Sequence, residues 1–199
     1  MNQGKAILIA CFFIIGICFV GYLTFPFIQS QLSNGFGLNN ESTPKDIAYQ
    51  KIAEEEIGKI TKRVVDECKI YLEKNPELLK EEFENHPEFR NIAVQKVGKT
   101  GYTALYELAD ENGVWHVWAH MNPKIVGINM QKLQPAMGIS FDDFWRIFTG
   151  VTNSNQSNGY YDWVENDGVV RKKYMTCRII EDTRYVIAAT TYIDEYKNR

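Results

Sequence analysis

From Ala6 to Phe25 the chain runs for twenty residues without a charge, AILIACFFIIGICFVGYLTF. At ~1.5 Å per residue, a helix of that length spans roughly 30 Å, the thickness of a bilayer's hydrocarbon core. It has no polar positions with which a helix at the edge of a globular core would face water. The run is longer than the apolar part of a signal peptide, and no A-x-A pattern follows it. Leu8-Ile9-Ala10-Cys11 looks like a lipoprotein-processing box, but it sits too close to Lys5 and the apolar run continues past Cys11. The expectation is a retained single-pass anchor in residues 1–26. Lys5 and the terminal amine precede the run, and no Lys or Arg follows it before Lys45. The positive-inside rule then puts the N-terminus in the cytoplasm and the bulk of the chain outside the cell membrane.

A chain of 199 residues leaves room for one domain beyond the anchor. A hydrophobic fraction of 45% and a charged fraction of 24% are ordinary globular usage, which argues against disorder. A net charge of −3 offers no electrostatic footprint for DNA or RNA, so no nucleic-acid partner is expected. Cys68 and Cys177 lie far apart without metal-ligand spacing. They could form a disulfide in an oxidising compartment, but two separate buried thiols are the simpler reading.

Residues 27–44 read as a linker rich in Asn, Ser and Gly. After Pro44, apolar residues recur at spacings of three and four through Ala53, Ile57, Ile60, Val64, Cys68 and Tyr71, one stripe on a long helix. Asn75-Pro76 breaks it. A shorter helix is expected around 77–85, ended by His86-Pro87. Past residue 95 the period changes to two: Tyr102, Ala104, Tyr106 and Leu108 alternate with Thr103, Leu105 and Glu107. Asp110–Gly113 is a hairpin turn and 115–119 the returning strand. SFDDFWRIFTG reads as a helix from Ser140 to a stop at Gly150. Strands follow at 159–164, 169–180 and 184–193, joined by short turns, so the sheet is antiparallel. The fold class is α+β: a long stalk helix, then a sheet of about five strands with helical cover.

Several chemistries are weak. Gly98-Lys99-Thr100 lacks the upstream glycine of a phosphate loop, since Ala93 stands there. His116 and His120 have the spacing of a helical zinc pair, but in a strand four residues span roughly 13 Å. The three histidines sit in no nucleophile context, and Asp142-Asp143 suit the first turn of a helix. No enzyme, metal or cofactor is expected.

The hairpin GYYDWVENDGVVRKKY, 159–174, is different. Alternation puts Arg171 and Lys173 on the face of Met175, Cys177 and Ile179, while Lys172, Tyr174 and Thr176 take the other. Met, Cys and Ile mark the first face as the core side. Lys173 then points inward, where an unpaired ammonium is costly. Either it snorkels at the sheet edge or it meets an anion, from the protein or from a ligand. Tyr161 and Trp163 share a face and could wall the same cavity, as in a small-molecule pocket.

With those residues in view, VGKTGYTALYEL, HMNPKIVGINM, the FW at 144–145, the hairpin and YVIAATTYIDEY, in that order, resemble the extracytoplasmic Cache sensor domains of prokaryotic histidine kinases and chemoreceptors. The resemblance covers residues 45–196. It implies a PAS-like sheet, a small ligand such as a carboxylate or amino acid held between sheet and cover, and signalling across the membrane. By position it implies ligand contacts from Tyr102, His120, Trp145, Tyr161, Trp163, Arg171, Lys173 and Tyr174; Tyr174 enters against the face assignment. It also implies pairing as a homodimer through helix 45–74. As only a tail of 197–199 follows, three alternatives are open: a fragment of a longer receptor, a free-standing anchored sensor, or a protein that signals through a separate transmitter protein. The alternative from another class is a structural module without a ligand, pairing through the Ala53–Tyr71 stripe.

Overall fold

The structure, a computed structural model, describes residues 44–197 apart from 139 and 166. The apolar run 6–25, all of the linker but Pro44, and residues 198–199 lie outside the described residues. Among those described, no helix is long and apolar enough to cross a membrane.

Among the described residues, three helices of seven residues or more, a four-residue helix at Gln134–Met137 and six strands make the domain. Helix α1 (Pro44–Lys74) leads, followed by α2 (Pro87–Ala93), and α3 (Ser140–Ser154) lies between the strands. The strands are β1 (Lys96–Val97), β2 (Gly101–Glu107), β3 (His116–Ala119), β4 (Gln156–Val164), β5 (Val170–Ile179) and β6 (Tyr185–Tyr192). They form one antiparallel sheet in the order β1-β2-β6-β5-β4, with β3 pairing the other half of β2. The count is six rather than five because β1 is only two residues long, too short to leave a period. The chain is α+β, as expected.

Both faces of the sheet are covered, which explains why its central strands alternate so weakly. Seven of the eight residues of β6 are buried. On one face Leu105 and Ile187 meet Val64, Cys68 and Phe89 from α1 and α2. Further along that face Tyr174 and Ala189 meet Ala53 and Ile57 of α1. On the other face Ala104, Met175 and Ala188 pack with Phe144, Ile147 and Phe148 of α3. A strand buried on both sides carries apolar residues at successive positions. The stripe Ala53–Tyr71 is therefore spent on the chain's own sheet, with Ala53, Ile57, Val64 and Cys68 fully buried. That removes it as a free surface for a partner helix. Cys68 and Cys177 are both free, buried thiols in clusters on opposite faces, so the sheet itself separates them.

Three local expectations are corrected. No α-helix fills 77–85; a three-residue 3₁₀ turn at Lys80–Glu82 stands there. His86-Pro87 starts a helix rather than ending one. His86 accepts the Phe89 N–H as N-cap, and Pro87 takes a first-turn position where a missing N–H costs nothing. Helix α3 runs through Gly150 to Ser154. Gly150 is a close approach rather than a stop, since a Cβ there would lie 3.4 Å from Ser157 Cβ.

The tightest backbone contact is at Gly101, where β2 begins. A Cβ there would lie 2.2 Å from the Thr190 carbonyl oxygen and 2.6 Å from that of Val97. Neither backbone atom can move without breaking the sheet. Gly101→Ala is therefore expected to destabilise the fold by about 3 kcal/mol, at the upper end for overpacking. Urea unfolding should show a lower midpoint; an unchanged midpoint would remove the constraint.

Candidate functional site

The sheet's α3 face carries a cavity of about 220 Å³. Register assembles its floor. Tyr161, Lys173 and Tyr192 stand in one row across β4, β5 and β6. The adjacent row is Gly159, Met175, Thr190 and Tyr102. Gly159 lets α3 down onto the sheet, because a Cβ there would lie 2.9 Å from Ile147 Cγ1. Opposite the floor, the segment after β3 brings His120, Asn122 and Ile125, and the stretch before α3 brings Met130, Leu133 and Met137. Phe144 closes the helix side.

Lys173 is the one charged residue of this lining among the described residues. It is 9% exposed, and no carboxylate among the described residues pairs with it. Its Nζ lies 4.5 Å from the Trp163 ring centroid and 4.4 Å from that of Tyr192. The ring faces supply partial compensation, worth ~0.5–2 kcal/mol each. Burial still dominates and pushes the Lys173 pKa down to about 8, with Glu165 and Glu195 pulling the other way and Arg171 adding to the depression.

The remaining polar groups are mostly committed. Thr190 Oγ1 donates to the Tyr174 carbonyl, so the 3.0 Å contact between Thr190 Oγ1 and Tyr161 is donated by the Tyr161 hydroxyl. Tyr161 has no proton left to offer a ligand. His120 is 4% exposed, and burial drives its pKa down to about 4, so it is neutral. Its Nδ1 accepts the Asn122 N–H at 2.9 Å, which leaves the ring proton on Nε2. The Tyr102 hydroxyl has no partner among the described residues, and its ring meets His120 edge-on at 4.7 Å.

Five of the eight residues expected at a site thus surround one cavity: Tyr102, His120, Tyr161, Trp163 and Lys173. Three do not, each for a physical reason. Tyr174 points to the opposite face, its ring tilted against that of Tyr160 at 5.0 Å beneath α1. Arg171 shares the Lys173 face, but Asp194 grips it at 2.6 and 3.0 Å, Glu165 lies 3.5 Å away, and its guanidinium lies over Tyr192 at 3.7 Å. Trp145 is one step around α3 from the lining Phe144 and packs on Phe141 and Trp115. The buried stripe Phe141-Phe144-Phe148-Val151 was the signal that could have chosen Phe144. Tyr192, the second ring under Lys173, was not singled out either; its place across from Lys173 needed the β5–β6 register.

No family model matches the chain, and no curated protein matches it. Among solved structures it is similar to a Cache chemosensory domain determined for carboxylic acid recognition, with TM-score 0.52 and 16% identity over 77% of this chain and 100% of that one. It also resembles the periplasmic sensor domain of a chemotaxis protein, with TM-score 0.46 and 15% identity over 78% and 99%. A PAS domain from Colwellia psychrerythraea follows at 0.34 and 12%, over 61% and 96%. The fold is similar to that of the Cache domain, the similarity expected from the ordered motifs.

An ammonium held in this way weakens the empty fold. Replacing it with Met, of similar length and apolar, is expected to stabilise the ligand-free protein by about 1–2 kcal/mol, because the ring contacts offset part of the burial cost. The sign has a pH signature. Because the folded pKa lies below the ordinary lysine value of 10.5, the unfolded chain binds the extra proton between about pH 8 and 10.5. Stability from this group therefore rises with pH across that window. Lys173→Met should raise the thermal midpoint at pH 7 and lose that rise; a lowered midpoint would mean the ammonium is stabilising.

Proposed function

We propose that the chain is a non-catalytic, membrane-anchored sensor domain, facing outside the cytoplasm, that binds a small organic anion in the cavity over Lys173. The observation that carries this reading is an ammonium without a carboxylate partner in a largely apolar, aromatic-walled cavity. An anionic ligand would supply the missing charge and make charge-assisted hydrogen bonds in a site of low dielectric. The carboxylic acid recognition of the similar Cache domain supports a carboxylate. The charge-free run 6–25 and the cation ahead of it support anchoring with this orientation. The residues proposed to contact the ligand are Lys173, Tyr102, His120, Tyr161 and Trp163. The structural-module alternative relied on a stripe that the sheet already covers.

The test is a thermal-shift panel of small organic acids on the full chain in non-ionic detergent, with unfolding read from tryptophan fluorescence. At a hundredfold excess over its dissociation constant, a bound acid adds about 2.7 kcal/mol, a shift of several degrees. Lys173→Gln should abolish it. A panel in which no acid raises the midpoint would contradict the reading.

A further inference from the structure

We infer that the cavity selects compact organic monoanions with an apolar body and rejects ligands that carry an ammonium group or a second anionic group. This rests on the sensor reading of the same cavity and narrows its ligand class.

The argument is a census of charge and space. Among the described lining residues there is one cation, Lys173, and no carboxylate. A ligand anion therefore finds one partner, and a ligand ammonium finds none. The nearest carboxylates do not change this. Glu165 lies with the Arg171 guanidinium and the Tyr192 hydroxyl, outside the lining. Glu195 takes the Lys99 N–H at 2.7 Å and the hydroxyls of Thr100 and Thr191. Aromatic faces can hold an ammonium, but those of Trp163 and Tyr192 already hold that of Lys173.

A second anionic group fares no better. Arg171 is the adjacent cation on the same strand face, and Asp194 holds it by two hydrogen bonds. His120 is neutral and adds no charge. The remainder of the wall carries no charge and is mostly apolar, with Met130, Leu133, Met137, Phe144 and Met175 facing the space beside the neutral Asn122 and Thr190. A volume of about 220 Å³ lies below the ~300–1,000 Å³ of pockets for drug-sized ligands, which suits a ligand of short-chain size.

A matched four-carbon series tests this by isothermal titration calorimetry on the full chain in non-ionic detergent at pH 7. The probes are butyrate, 4-aminobutyrate, succinate and butylamine. Butyrate is expected to bind, 4-aminobutyrate and succinate at least about tenfold more weakly, and butylamine not at all. Butyrate binding should disappear in Lys173→Met, whose circular dichroism reports whether the fold is kept. If 4-aminobutyrate or succinate matches or exceeds butyrate, the selectivity is overturned while the sensor reading stands. Undiminished butyrate binding by a folded Lys173→Met overturns the role of the single cation. If none of the four binds and the organic-acid panel is also silent, the sensor reading falls and takes the selectivity with it.

Discussion

A sheet buried on both faces must satisfy every polar group its strands carry, and Lys173 is where this domain meets that demand with aromatic rings instead of a carboxylate. Burial of β5 is continuous from Lys173 to Cys177. Helix α1 covers Tyr174 and Thr176 from one side, while the cavity and α3 lie over Lys173, Met175 and Cys177 on the other. Lys173 is only 9% exposed in its row. Trp163 and Tyr192 hold it by their faces, and the cavity beside it is the space an anion would occupy. The walls follow from the same constraint: the rows that place Tyr161 and Tyr192 beside Lys173 also place Tyr102 and Thr190 beside Met175.

Tyr192 connects this cation to the remainder of the fold. Its ring lies between Lys173 Nζ at 4.4 Å and the Arg171 guanidinium at 3.7 Å. Arg171 is gripped by Asp194, which opens the 3₁₀ turn Ile193–Tyr196. In that turn Glu195 accepts the Lys99 and Thr100 N–H groups and fastens the β1–β2 turn. Burial opposes the charge on Glu195, but these hydrogen bonds outweigh it and hold its carboxyl below the ordinary value. Tyr196 reaches Glu56 of α1 at 3.1 Å. One short segment thus touches the row of the buried cation, the first turn of the sheet and the covering helix.

What the sequence made legible were features with a local cause. The three-and-four spacing from Ala53 to Cys68 marks a helix, and the turns at Asp110–Gly113 and Glu165–Gly168 mark hairpins. Period-two alternation put Tyr161, Trp163 and Lys173 on one face. What escaped had distant causes. Arg171 reads as a free inward cation until β6 and its following turn bring Asp194 beside it. Alternation puts Tyr174 on the other face, against its place among the ligand contacts implied by the resemblance, and α1 covers it there. Trp145 and Phe144 differ by one residue, and only the phase of α3 against the sheet decides between them. His86-Pro87 serves equally as a helix stop and a helix start, and the structure uses the second.

The central claim is that Lys173 carries a buried ammonium whose missing counter-charge comes from a ligand. Its most direct measurement is the titration of the Lys173 side chain by carbon-13 NMR of lysine-labelled protein, with Lys173→Met assigning the signal. The account predicts a midpoint near 8 in the empty protein and a clear upward move once a stabilising organic acid saturates the cavity. A midpoint at the ordinary 10.5 in the empty protein, unmoved by such an acid, would contradict it.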